Sequence, residues 1–139
     1  MKKLIPLLVI VLVTGCNDSN VKKRLSSLDE AITQYSQALR WGRYQDAQAY
    51  HLTRDDKREP IEDKQVADVR VTGFVIQETD FNDDNTEAKV KGQYQYYLTT
   101  TGALKSIPFK QDWWYKEDAK RWFVANGPPD FHHPPAPEK

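Results

Sequence analysis

Apolar side chains recur at Val21, Leu25, Leu28, Ile32, Tyr35 and Leu39, in steps of four and three. That spacing marks one face of an α-helix, and Gly42 supplies its stop. Ser27 with Glu30 has the form of a capping box, although the pattern begins a turn earlier. A second short helix is predicted over residues 44–52. The charged stretch 53–60 ends in Pro60 and reads as a surface loop before a turn of helix around 61–65. From Val66 the period changes to two, which predicts four strands at 67–81, 86–100, 106–116 and 121–126. Their short connections, 82–85, 101–105 and 117–120, make an antiparallel meander. From Gly127 the chain holds most of the eight prolines and is predicted to be an extended tail.

Pairing the strands outward from their turns sets Phe81 opposite Thr86, Thr99 opposite Ser106 and Lys116 opposite Arg121. One face then collects Val69, Val71, Val75, Val90, Tyr94, Tyr96, Leu98, Ile107, Phe109, Trp113, Tyr115, Trp122 and Val124. A slip of one residue would throw a whole strand's side chains to the other face, so the alternation fixes parity more firmly than register. Fourteen strand residues reach about 46 Å, whereas fifteen helical residues reach about 22 Å, so the sheet must bend. Gly73 and Gly92 stand mid-strand where a bend relaxes, with Trp113 expected to cover Gly92. The expected fold is α+β: N-terminal helices packed on a curved four-stranded antiparallel meander sheet enclosing a cone-shaped space.

This order of elements, with Trp41-Gly42-Arg43-Tyr44 followed by Ala47, resembles the nuclear-transport-factor-2-like superfamily, a cystatin-like cone. The resemblance covers residues 21–126 and implies a cone fold. The chain shows two clear helices where three are common. That superfamily holds both enzymes and binding domains, so the likeness leaves function open.

The N-terminus changes the picture. Lys2 and Lys3 precede an apolar run from Leu4 to Val13, too short for the roughly 20 residues that span a bilayer. The following Val13-Thr14-Gly15-Cys16 resembles the bacterial lipobox, and Cys16 is the chain's single cysteine. The expectation is a signal peptide over 1–15, lipid on Cys16, a tether over 16–20, the domain over 21–126 and a tail over 127–139. Two or more acyl chains, palmitate-like in length, anchor effectively permanently at about 0.8 kcal/mol per buried methylene. The protein is therefore expected on the bacterial cell envelope, facing the periplasm. By resemblance to sorting rules, Asn17 favours the outer membrane over the inner. The 20 basic and 20 acidic residues balance, which argues against a nucleic-acid partner. With one cysteine, the domain must hold without disulfides.

Among the inward positions, Tyr94, Gln111 and Asn126 form a polar row that could orient a small ligand, with Trp113 and Trp122 as walls. The plainer reading has them pair with one another or with water. No Asp, Glu or His falls on that face to move a proton, since Asp112 points outward and Asp46 and His51 sit on or near the second helix, where a solvated position is expected. Asp80, Asn82 and Asp84 mimic the start of a calcium loop, but Asn85 and Lys91 replace its glycine and glutamate. His51 with Asp55, and His132 with His133, do not close a metal site by themselves. Neither metal nor cofactor is expected. On the outer face Phe74, Ile76, Trp114 and Phe123 suggest an apolar contact strip. Its occupant could be a second copy forming a homodimer, the chain's own tail through Phe131, or another envelope protein; long side chains such as Lys91 could instead cover it. The sequence therefore favours a non-catalytic, lipid-anchored binding or assembly module. The alternatives are a small enzyme acting on an apolar or sugar-like ligand in the cone, and a spacer or inhibitor working through its tail.

Overall fold

The computed structural model describes residues 17–136; the leader and Cys16 lie outside them. Helix α1 runs Asn17–Arg40, α2 Tyr44–Gln48 and α3 Asp63–Val66, followed by strands β1 Val69–Phe81, β2 Glu87–Leu98, β3 Leu104–Lys116 and β4 Arg121–Val124. Helix α1 takes in residues 17–20 of the expected tether. Ser27 does not cap it, because its hydroxyl donates back to the Arg24 carbonyl at 2.8 Å. At the other end Gly42 takes φ +67°, Gly42 N–H donates to Leu39 O at 3.2 Å and Arg43 N–H to Ala38 O at 2.8 Å. Those two bonds form a Schellman cap, so the predicted glycine stop operates.

Helix α2 ends earlier than the pattern suggested because residues 50–52 leave it to lie along β4. Val124 N–H donates to Tyr50 O at 2.8 Å and Leu52 N–H to Val124 O at 3.1 Å, giving a parallel bridge between His51 and Val124. A capping box of Glu62 with Gln65 starts α3.

The four strands form one antiparallel sheet in the order β1-β2-β3-β4, and the fold is α+β with its helices N-terminal to the sheet. The β3–β4 register is as predicted, Lys116 opposite Arg121 and Trp113 opposite Val124. Between β2 and β3 the register differs: Gly92 faces Phe109 instead of Trp113, and Tyr96 faces Lys105 instead of Phe109. The displacement is even, so every side chain keeps its expected face. Strand β1 departs further, with bulges between Val71 and Gly73 and between Ile76 and Glu78. The first reverses parity, setting Phe74 opposite Tyr94 and Val75 opposite Gln93. Phe74 accordingly packs on the core and Val75 is 55 % exposed, the reverse of the expected arrangement. The second bulge restores the original phase, with Thr79 opposite Val90.

Cα atoms of α1 come within 8 Å of β1 and β4 but of neither β2 nor β3, so the sheet curls around the helix as a trough. Tyr35, Tyr94 and Trp113, all fully buried, fill the gap over the middle strands. Through residue 136 the tail forms no strand, as expected, yet it packs: Phe131 is buried with its ring centroid 5.0 Å from that of Tyr96 and 6.2 Å from that of Tyr94.

Gly92 lies where the middle strands crowd most. A Cβ there would meet the Val75 carbonyl and come within 2.5 Å of Phe109 Cζ, and backbone cannot step aside. Gly92→Ala should lower unfolding free energy by about 1–3 kcal/mol in urea denaturation; unchanged stability would show that the strands separate there freely.

Candidate functional site

Two members of the polar row found in the sequence, Tyr94 and Gln111, meet, and with Trp113 they close on themselves. Gln111 Nε2 donates to the Tyr94 hydroxyl at 3.0 Å, and Trp113 Nε1 donates to Gln111 Oε1 at 2.9 Å. All three side chains are buried. Burial pushes the Tyr94 phenol up to about 12, against opposing contributions from Ser36 and Gln111. Ser36 Oγ is buried and has no hydrogen-bond partner among the described residues. Trp122 lies toward the opposite end of the trough, where its Nε1 donates to Arg24 O and Ser27 Oγ at 3.1 Å each. Asn126 is exposed, and its Oδ1 accepts from the Asp112 amide at 2.5 Å. Of the five predicted ligand-binding residues, Tyr94, Gln111 and Trp113 therefore form one buried chain, while Trp122 and Asn126 stand apart from it.

His51 was placed at a solvated position, and the structure corrects this: it is 1 % exposed. Its bridge to Val124 sets it beside the sheet's last strand. Nδ1 lies 2.8 Å from the Asn126 carbonyl, which can only accept, so Nδ1 carries the proton. Nε2, 2.9 Å from the Tyr35 hydroxyl, is then the acceptor. Burial lowers the imidazole below its ordinary 6.5, with the Asn126 bond and Glu59 opposing. Burial, helped by Tyr94, also raises the Tyr35 phenol well above 10.0. The pair is a neutral hydrogen-bonded unit at physiological pH.

Over this unit runs the tail. Tyr96 donates its hydroxyl to Phe131 O at 2.8 Å, and His132 Nε2 lies 2.9 Å from Asp68 Oδ1. Asp130 Oδ1 accepts from the amides of His132 and His133 at 3.1 Å each. Desolvation pushes the Asp130 carboxyl up, but these amides and the His133 ring outweigh it and hold it below its ordinary value. A cavity of about 200 Å³ remains between the tail and β3, lined by Tyr35, His51, Phe109, Gln111 and Pro128 among others.

The outer strip is not assembled as expected. Phe74 and Ile76 belong to the inward phase of bulged β1, opposite Tyr94 and Gly92. Trp114 and Phe123 do stack, with centroids 5.9 Å apart, but Phe123 is 4 % exposed and Trp114 half-buried. The chain covers them itself: Trp114 Nε1 donates to Leu52 O at 2.8 Å, the Arg121 guanidinium lies 4.8 Å from the Phe123 ring, and Lys116 pairs with Asp56 at 2.8 Å. Phe131, considered as an occupant of this face, sits inside the trough instead.

No protein-family model, curated protein or solved structure matches this chain. Among the described residues no group of His, Cys, Asp and Glu is arranged to hold a metal ion.

Because the folded His51 value lies below the unfolded one, the unfolded chain binds the proton first as pH falls. Stability from His51 is full above about 6.5 and declines as pH drops from there toward the folded value. Unfolding free energy measured from pH 7.5 to 5 should fall in wild type and fall less steeply in His51→Gln; equal slopes would mean that His51 titrates freely. Phe131→Ala should cost about 3 kcal/mol or more and expose the Tyr96 region to hydrogen exchange, whereas unchanged exchange would show the tail to be a passive cover.

Proposed function

We propose that the protein is a non-catalytic, lipid-anchored binding or assembly module of the bacterial cell envelope. The anchoring half is supported by the basic start, short apolar run and Val13-Thr14-Gly15-Cys16. No described helix is long and apolar enough to cross a membrane. In this reading attachment is through acyl chains on Cys16, with the domain facing the periplasm and the outer membrane preferred by Asn17.

The observation that carries the non-catalytic half is the state of the trough. Its ionisable imidazole, His51, has both nitrogens engaged, by Tyr35 and by the Asn126 carbonyl. The polar row is engaged internally, and Phe131 fills the space beside it. An acid or base must reach a substrate proton at hydrogen-bond distance, and here that position is taken by the protein. Assembly through Trp114 and Phe123, as a homodimer or with another envelope protein, requires residues 52–56 to leave the face they cover. The enzyme reading draws support from His51 lining the cavity under the tail, and it requires Tyr35 to release Nε2.

Bacteria expressing the full chain and fed an alkyne fatty acid test the anchor. Wild type should label and pellet with membranes, and Cys16→Ala should lose both properties. Membrane retention of an unlabelled Cys16→Ala protein would sink the anchoring. Turnover of any small substrate that disappears in His51→Gln would sink the non-catalytic half.

A further inference from the structure

A cleft of about 510 Å³ opens where the end of α1, α3 and the start of β1 meet, within the roughly 300–1,000 Å³ range of small-molecule sites. Its floor is the outer edge of the core, formed by Leu39, Val66, Val69 and Val71. Its rim carries Trp41, which is 68 % exposed. Helical phase explains that exposure: two residues past buried Leu39, Trp41 stands about 200° round the helix from the buried face.

Charge makes the cleft selective. Arg40 and Arg70 both line it. Arg40 stands 5.4 Å from the Trp41 ring centroid and pairs with no carboxylate among the described residues. Among the described residues Arg70 donates only through Nη1, to the carbonyls of Ala67 at 3.1 Å and Val69 at 2.8 Å, so its other N–H donors remain available to a ligand. Asp63 is the one carboxylate in the lining, and it forms an ion pair with neither guanidinium. The rim is thus net positive beside an apolar floor and an aromatic wall.

We infer that this cleft binds a small amphiphilic anion, its carboxylate or phosphate held by Arg40 and Arg70 and its apolar body laid between Trp41 and the Leu39-Val66-Val71 floor. Guanidinium groups match either anion through paired N–H donors. The inference deepens the binding half of the proposed function. It does not depend on Cys16, whose fractionation result stands apart from it.

Trp41 is a built-in reporter. Full-length protein, purified from whichever cell fraction holds it, would be titrated with 4-phenylbutyrate, phenyl phosphate and the neutral 4-phenylbutanol while acrylamide quenching of tryptophan is followed. Trp41→Phe, with circular dichroism to verify folding, subtracts the other three tryptophans. At least one of the anions should protect Trp41, with the alcohol about tenfold or more weaker, and Arg40→Gln or Arg70→Gln should each weaken the anion about tenfold while leaving the alcohol unchanged. Protection by one anion alone identifies the head group. Arg70→Lys, which keeps the charge, should bind more strongly than Arg70→Gln if that variant stays folded. Equal protection by the alcohol, undiminished anion binding in the Arg40→Gln, Arg70→Gln double variant, or no protection up to about 10 mM would overturn the inference.

Discussion

One helix has to keep a four-stranded trough dry. The backbone of α1 approaches only the outermost strands, so large side chains must bridge the gap to the middle ones, and the trough's remaining length needs another cover. Residues 50–52 close the β4 side by extending the sheet for one bridge. Phe131 closes the other end from the tail. Both devices consume the features that would otherwise serve a ligand: the imidazole of His51 becomes part of the wall, and the hydroxyl of Tyr96 holds the tail's backbone.

The strands were legible because a half-buried strand repeats every two residues, and neither loop length nor sheet curvature alters that period. The tight 117–120 turn also fixed the register of β3 on β4. The longer connection between β2 and β3 could not, since any even displacement preserves the same faces. Strand β1 was misread from Gly73 to Ile76 because a bulge reverses parity without changing composition. Gly73 marked a place for one, but nothing local says whether a mid-strand glycine bends or bulges.

Site residues were legible where their partners lie on neighbouring strands, as for Tyr94, Gln111 and Trp113. His51 was not, because its burial comes from a bridge to a residue far along the chain, and adjacent charges disguise the segment as surface. The same disguise misled the outer strip. Residues 53–60 read as solvated loop, yet Arg54 reaches Glu87 at 2.9 Å and Asp56 reaches Lys116 at 2.8 Å, which lays the segment against Trp114. Phe131 did leave a signal, as the one large apolar side chain in a proline-rich tail.

Helix α1 has a mechanical side as well. Its 24 residues make a rod about 36 Å long. Near its start Arg24 clasps the hairpin tips through Asp84 O at 3.3 Å and Glu117 at 3.1 Å; its end carries Trp41. Seven of its residues, about 10 Å of rod, precede Arg24. The rod thus serves as a stiff mast: the hairpin tips stand near its foot, and the tail and the tryptophan cleft ride at its head.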